Sequence, residues 1–361
     1  MSLWFILLAA ALTLVSCARK APEKGPPPVA YPYSSTAPRT FYAGPMGLQD
    51  SAPAGLEPAL ASRAPNASVM SADASSIAVA VNLWGLERVI VSPGGSSYRL
   101  EAEPMKEAFT GLSTGGAWPS RKGFLVQLYR DPFATADEEA DQGAARSPDP
   151  APEGRLALFG PSGGESIALP SISALAPGYE LFVLLPSLST WYAELRKDGE
   201  DSVDTRYFAL GDILDPAGKA REVKRAEFEQ ALKPLPLADQ TGDEGTLLRS
   251  ALAALGKGPW LARLRGPSGE DSWLLDSGRP EDATPVFAWA AEGAVLALCA
   301  DGRLARAAAA SAATVTTLAL PAEGAGFSAI AASGGILAAA WEKGDFPETE
   351  AAGIVVAPIP N

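Results

Sequence analysis

The pentapeptide Gly160-Pro161-Ser162-Gly163-Gly164 has the Gly-x-Ser-x-Gly pattern that surrounds the nucleophilic serine of many hydrolases. Such a serine is usually activated by a neighbouring histidine, and the chain contains no histidine. The lack of imidazole excludes Ser-His-Asp and Cys-His catalysis, and it excludes zinc or haem held by histidine. We therefore interpret the pentapeptide as a hairpin turn. The sequence predicts no catalytic residue, no cofactor and no metal site.

The charge of the chain limits its partners. It carries 29 Lys and Arg against 42 Asp and Glu, which gives a formal net charge of -13. Nucleic acids are bound through clustered Lys and Arg, so we expect no nucleic-acid partner. Two carboxylates about 5 to 9 Å apart could hydrolyse a glycan, but that spacing is a property of the fold. A carboxylate-based glycan hydrolase is therefore kept as an alternative function.

The amino terminus carries a hydrophobic leader. Residues 3–15 are uncharged and mostly apolar, and they are too few for a spanning helix, which needs about 20 residues. They lead into Leu14-Val15-Ser16-Cys17, which resembles the lipobox of bacterial lipoproteins. The resemblance implies a signal peptide over residues 1–16, cleavage before Cys17 and acylation of Cys17, so the membrane is a partner through the lipid anchor. Residue 18 is Ala rather than Asp, which favours the outer membrane if the bacterium has two membranes.

Two further residues are candidates for reactivity or binding. Cys299 follows the apolar run Val295-Leu296-Ala297-Leu298, so we predict a buried and inert thiol. Trp118, in Gly115-Gly116-Ala117-Trp118-Pro119, has the surroundings of a loop residue. We expect most tryptophans to pack in the core, and we choose Trp118 as the candidate exposed ligand-binding residue.

The mature chain divides into a tether and a folded domain. Residues 17–74 contain ten prolines and no apolar periodicity, which predicts a lipidated Cys followed by a disordered tether of about 40 Å root-mean-square span. Residues 75–361 form the predicted domain. Residues 134–154 combine acidic residues with proline, which indicates a flexible surface insertion. Helical spacing is confined to a small insertion near residues 221–256.

Short strand-like segments bounded by turn residues fill the rest of the domain and predict an all-β fold. The stretches Gly160-Pro161-Ser162-Gly163 and Gly266-Pro267-Ser268-Gly269 repeat one turn sequence, and strong turns recur at intervals near multiples of about 35 residues. This pattern resembles a generic β-propeller of about six to seven blades, although the signature motifs of the known repeat families are absent. Two packed β-sandwich domains are the alternative.

These observations predict a lipid-anchored, extracytoplasmic protein of the bacterial envelope that binds or scaffolds an unknown protein or glycan partner without catalysis. An envelope-assembly factor and the glycan hydrolase are the alternatives.

Overall fold

The computed structural model describes residues 29–32, 38–44, 47–49, 66–72, 77–82, 86–94, 97–104, 113–120, 123–129, 155–160, 163–166, 175–187, 190–199, 202–213, 220–240, 242–266, 271–291, 293–309, 311–344 and 350–360. Cys17, the leader and the predicted acidic insertion 134–154 lie outside the described residues.

The described part of the chain contains twenty-five strands, two α-helices and two short 3₁₀-helices, Leu237–Asp239 and Pro280–Asp282. The strands of the first half are β1 (Val29–Pro32), β2 (Arg39–Gly44), β3 (Gly47–Gln49), β4 (Asn66–Ala72), β5 (Ile77–Asn82), β6 (Leu86–Gly94), β7 (Ser97–Pro104), β8 (Ser113–Ser120), β9 (Gly123–Tyr129), β10 (Arg155–Gly160), β11 (Gly163–Ser166) and β12 (Glu180–Ser187). The next elements are β13 (Thr190–Asp198), β14 (Val203–Gly211), β15 (Arg221–Val223), α1 (Arg225–Ala231), β16 (Leu235–Pro236), α2 (Asp243–Leu255), β17 (Trp260–Arg265) and β18 (Asp271–Leu275). The last strands are β19 (Thr284–Ala291), β20 (Ala294–Cys299), β21 (Arg303–Ala308), β22 (Ser311–Thr317), β23 (Ala325–Ser333), β24 (Ile336–Lys343) and β25 (Ala351–Pro358).

The strands form five sheets, which we number along the chain. Sheet 1 has the spatial order β1-β7-β6-β5-β4, sheet 2 is β11-β10-β9-β8, and sheet 3 is β12-β13-β14-β15. Sheet 4 is β16-β18-β17-β19-β20-β21-β22, and sheet 5 is β23-β24-β25-β2-β3. Neighbours are antiparallel except for the parallel pairs β16–β18 and β17–β19. The prediction of an all-β fold is confirmed.

The two helices lie in the region predicted to be helical. α1 packs Phe228 against sheet 3, and α2 buries one apolar side that includes Leu248, Ala251 and Leu252. The carboxyl end of α2 is capped by a side chain, because Arg303 Nη1 donates to the carbonyl oxygen of Leu255 at 2.8 Å. A cation at this end of a helix is favoured by the helix dipole. Neither described helix is long and apolar enough to cross a membrane.

The largest core joins sheets 4 and 5. Trp289 and Leu296 of sheet 4 are buried with Phe327 and Trp341 of sheet 5 in one apolar cluster. Strands β24 and β25 each contain a run of six consecutive buried residues, so both faces of these two strands are covered. Alanine dominates these strands, as in Ala338-Ala339-Ala340, because small side chains allow covered sheets to approach closely.

The sheets contact one another in a cycle. Strand β4 of sheet 1 contacts β8 of sheet 2, and one apolar cluster joins sheets 2 and 3. Strand β12 of sheet 3 contacts β18 of sheet 4, while β19 of sheet 4 contacts β23 of sheet 5. Strand β23 in turn contacts β4. The last sheet is therefore a neighbour of the first.

The prediction that residues 17–74 form a disordered tether is wrong for four described segments. Strand β1 pairs with β7 at the edge of sheet 1, β2 pairs with β25 and β3 in sheet 5, and β4 is a strand of sheet 1. Phe41 of β2 is fully buried. The prolines lie at strand ends or between strands, or in segments outside the description, so they do not prevent pairing. The domain therefore begins before residue 75.

A glycine allows β2 to join sheet 5. Tyr42, Gly353 and Trp341 are opposite one another on three adjacent strands, and the rings of Tyr42 and Trp341 make an edge contact with centroids 5.3 Å apart. A Cβ atom on Gly353 would lie 2.0 Å from the carbonyl oxygen of Phe41. Only glycine at position 353 permits this approach of the β2 backbone.

The repeated turn sequence does not mark equivalent places in the fold. Gly160 pairs with Gly163, so the first copy joins β10 and β11 at the outer edge of sheet 2. The second copy joins β17 and β18, where Arg265 pairs with Asp271. It does not lie at a sheet edge, because β17 also pairs with β19 and β18 also pairs with β16. The shared residues encode a hairpin turn, which can occur at any position in a sheet.

Candidate functional site

An exposed aromatic side chain marks one end of sheet 3. The register of β12 on β13 shifts between Leu181 and Val183, so Phe182 is an extra residue without an opposite partner. Such a bulge redirects a side chain out of the regular alternation. Leu181 is buried in the core, whereas Phe182 is 53% exposed.

Phe182 is covered on one side by an ion pair. The guanidinium carbon of Arg196 lies 3.2 Å from the centroid of the Phe182 ring, and Arg196 Nε donates to Glu194 Oε1 at 2.6 Å. Glu194 is only 9% exposed, so its carboxylate is held inside the sheet surface by this partner. We call Phe182, Glu194 and Arg196 the arginine–aromatic patch.

Helix α1 covers the neighbouring part of the same face. Phe228 of α1 contacts the rings of Tyr207 at 4.7 Å and Tyr192 at 6.3 Å between centroids. Tyr192 shares a sheet face with Glu194 and Arg196, because alternate residues of a strand point to the same side. The helix therefore closes the part of this face at Tyr192 and leaves Phe182 open.

The opposite face of the same end carries a second polar group. Arg206 donates through Nε to Glu222 Oε1 at 2.8 Å and through Nη2 to Glu222 Oε2, and these hydrogen bonds lower the pKa of Glu222. The guanidinium also lies 5.6 Å from the ring centroid of Tyr179. Tyr179 donates to the carboxylate of Asp204, and this hydrogen bond raises the pKa of Tyr179. The paired charges position Arg206 and favour the ionised form of Glu222.

These residue types suit contact with another macromolecule. Aromatic side chains and arginine are enriched at protein interfaces, where they supply much of the binding energy. In the part of the chain that the structure describes, no group of three His, Cys, Asp or Glu residues could hold a metal ion. We therefore take the end of sheet 3 as the candidate contact surface.

Trp118 is not a loop residue. It lies in β8 opposite Leu125, and it is partly buried against the core between sheets 2 and 3. The register shifts between Thr114 and Ala117, so Gly115-Gly116 form an irregularity within the strand rather than a loop. Glycine pairs suit both a loop and a strand bulge, and only the pairing with β9 distinguishes them.

The other predicted site residues have different outcomes. Cys17 lies outside the described residues, and so does Ser162 of the hairpin turn. Cys299 is 1% exposed, which confirms the predicted burial. Burial raises the pKa of its thiol to about 11.

The arginine–aromatic patch was missed by sequence reasoning. Phe182 belongs to the apolar run Leu181-Phe182-Val183-Leu184-Leu185, which is typical of a fully buried strand. The alternation of Ala193 and Leu195 with Glu194 and Arg196 is typical of a half-exposed strand. It could not show that a bulge in the neighbouring strand would place an aromatic ring beside Arg196.

Comparison with known proteins identifies the family of this chain. No curated protein matches the sequence. A solved structure described under "Structural and Mechanistic Analysis of Two Prolyl Endopeptidases: Role of Inter-Domain Dynamics in Catalysis and Specificity" is similar at 14% identity and a TM-score of 0.30. That match covers 84% of this chain and 44% of the other, so this chain spans less than half of that protein's length. A family model described as "Family of unknown function (DUF8086)" matches residues 60–361, and the chain belongs to this family.

Proposed function

We propose that this protein is a lipid-anchored, extracytoplasmic binding protein of the bacterial envelope without a catalytic activity of its own. The observation that carries the binding role is the arginine–aromatic patch, where Phe182 is 53% exposed and lies against the guanidinium of Arg196. A large apolar ring beside a positioned arginine is typical of the anchor residues of protein interfaces. We therefore propose a protein as the partner.

The body that presents the patch is proposed to be a six-bladed β-propeller. Sheets 1, 2, 3 and 5 and the two halves of sheet 4 supply six units, which follow chain order apart from β2 and β3 and are antiparallel apart from β16. Each unit contacts the next, and the two halves of sheet 4 are joined by the parallel pair β17–β19. The contact between β23 and β4 closes this cycle, which favours a ring over two separate β-sandwiches. Radial repetition also protects the strand edges of a ring.

The amino-terminal strands support the closure. Pairing of β1 with sheet 1 and of β2 with sheet 5 joins the outer edges of the first and last units. Only residues 33–38 connect these two strands. We call β1, β2 and the residues between them the amino-terminal clasp, because together they would link the first and last units of the cycle.

The clasp also brings the body close to the proposed anchor. Residues 18–28 separate Cys17 from Val29, and twelve peptide steps span at most about 40 Å. A random coil of the same length would have a root-mean-square span of about 20 Å. A compact domain of this size is about 50 Å across. A body anchored in this way stays near the membrane surface, so we place the protein partner there.

The anchor is tested by replacing its acceptor. Cys17→Ser should abolish labelling by a clickable fatty acid and leave the uncleaved precursor, because acylation requires the thiol. Wild-type chain and Cys299→Ser are the controls, since the buried Cys299 is not an acylation site. Labelling and processing of Cys17→Ser at the wild-type level would refute the anchor.

The binding surface is tested by site-specific photocrosslinking in intact cells. A photoreactive amino acid at Phe182 should give a discrete protein adduct in the membrane fraction, and Arg196→Ala should weaken it. The matched control is Leu320, another exposed apolar residue, which lies outside sheet 3. The same adduct from both positions, or none from position 182, would contradict the proposed surface.

A further inference from the structure

The terminal strands of the sheets differ in length. Each sheet ends on one side in a short strand of two to four residues, namely β1, β11, β15, β16 and β3. Short edge strands offer few unpaired backbone groups, and natural proteins use them to prevent pairing between sheets. At the other side, β4, β8, β12 and β23 are long, but each borders another sheet through the contacts described above. These edges are sheltered.

Strand β22 differs from these described terminal strands, because its main described contact outside sheet 4 is with helix α2, on the face that carries Ala313, and this contact leaves the backbone edge uncovered by another sheet. It has seven residues, Ser311–Thr317, and it ends sheet 4 beside β21. The strand contains no charged residue and no proline, and Val315 is 48% exposed. An exposed, uncharged, β-branched edge strand is a template for pairing with a strand of another chain.

We infer that β22 pairs with β22 of a second copy of this chain. Full antiparallel overlap of the two strands would place a twofold axis at Thr314, so that Thr314 of each copy face one another. Ala313 of one copy would then lie opposite Val315 of the other. Facing Thr–Thr pairs and pairs that include a β-branched residue are favourable across antiparallel strands. The contact is isologous and closes as a dimer.

The charge distribution supports a second copy as the occupant. The whole chain has a formal charge of -13, so two copies repel one another over most of their surfaces. Residues 307–322 contain no charged side chain, and this segment includes all of β22. No charged side chain would lie on the paired strands, and Arg306 of β21 in each copy would be separated from its counterpart by the two Thr314 residues. Two copies can therefore pair at this edge without bringing like charges of the paired strands together.

The proposed register predicts which engineered cysteines can form an intermolecular disulfide. In an antiparallel pair, opposite Cα atoms are about 4.5 to 5.5 Å apart, which lies within the range that a disulfide bridges. Thr314→Cys would satisfy this distance. Thr317→Cys lies in the same strand, but the two copies of residue 317 would be about 20 Å apart. Both residues are exposed, so neither substitution disturbs the core.

The experiment treats membranes that contain the full-length protein with a mild oxidant and separates the products on a non-reducing gel. We expect a dimer band from Thr314→Cys, and only the wild-type background from Thr317→Cys. Adding Val315→Lys to Thr314→Cys should reduce the dimer at least tenfold, whereas Val203→Lys, at a valine that is 55% exposed, should not.

Three outcomes would overturn the inference. Absence of a dimer from Thr314→Cys would exclude the pairing. Equal dimer yields from positions 314 and 317 would exclude the register and indicate random collisions. A crosslinked band of a different mass would identify another protein, rather than a second copy, as the strand that pairs with β22.

Discussion

Strand β2 of the amino-terminal clasp should be part of the folded core, and Phe41→Ala tests this directly. Phe41 is fully exposed in a disordered tether but is fully buried in the structure, where it lies opposite Ile354 of β25. Its cluster includes Ile330 and Val356, so the ring is surrounded by sheet 5. Truncation of a buried phenylalanine to alanine removes its transfer free energy and leaves a cavity, which together cost about 3 to 5 kcal/mol.

This loss is large compared with the total stability of a domain, which is about 5 to 15 kcal/mol. We expect Phe41→Ala to lower the midpoint of urea unfolding strongly, as followed by tryptophan fluorescence of a soluble variant that lacks the signal peptide and the anchor cysteine. Thr40→Ala is the matched control, because Thr40 is the preceding residue of the same strand and is only partly buried. It should change the free energy of unfolding by about 0.5 kcal/mol or less.

A change below about 1 kcal/mol for Phe41→Ala, equal to that of Thr40→Ala, would show that β2 contributes little to the core. Residues 17–74 would then behave as the tether predicted from composition. A loss near the expected magnitude would instead establish that the amino-terminal segment cannot be removed without weakening sheet 5.

Three other measurements test the packing. Gly353→Ala should destabilise by about 1 to 3 kcal/mol in urea unfolding, since its Cβ would lie 2.0 Å from a carbonyl oxygen of β2; Gly326→Ala, whose nearest contact is 3.8 Å away, should be nearly neutral. Arg303→Met should cost about 1 kcal/mol and reduce hydrogen-exchange protection at the carboxyl end of α2, because the cap on Leu255 is lost. Cys299 should resist alkylation at pH 8 unless the protein is unfolded, because its pKa of about 11 leaves about one thiolate in a thousand. The raised pKa favours the protonated native state, so this contribution to stability should be lost as pH rises from 9.0 through about 11.

The features that sequence reasoning identified correctly are those encoded by neighbouring residues. Short apolar segments between turn residues predicted strands, and the helical spacing near residues 221–256 predicted α1 and α2. The apolar run before Cys299 predicted its burial. Each of these depends on a local preference or on a hydrophobic repeat within one element, so a single sequence is sufficient to reveal it.

Tertiary structure alone decided where distant segments meet. Nothing near residue 41 indicates that β2 pairs with β25, about three hundred residues later, because backbone pairing is not specific to side-chain type. The bulge that exposes Phe182 depends on the register between β12 and β13, and the bulge at Gly115-Gly116 depends on pairing with β9. A proline-rich segment could thus look like a tether and still be built into the fold, since its few strand residues gain their stability from burial against sheet 5 and not from any local propensity.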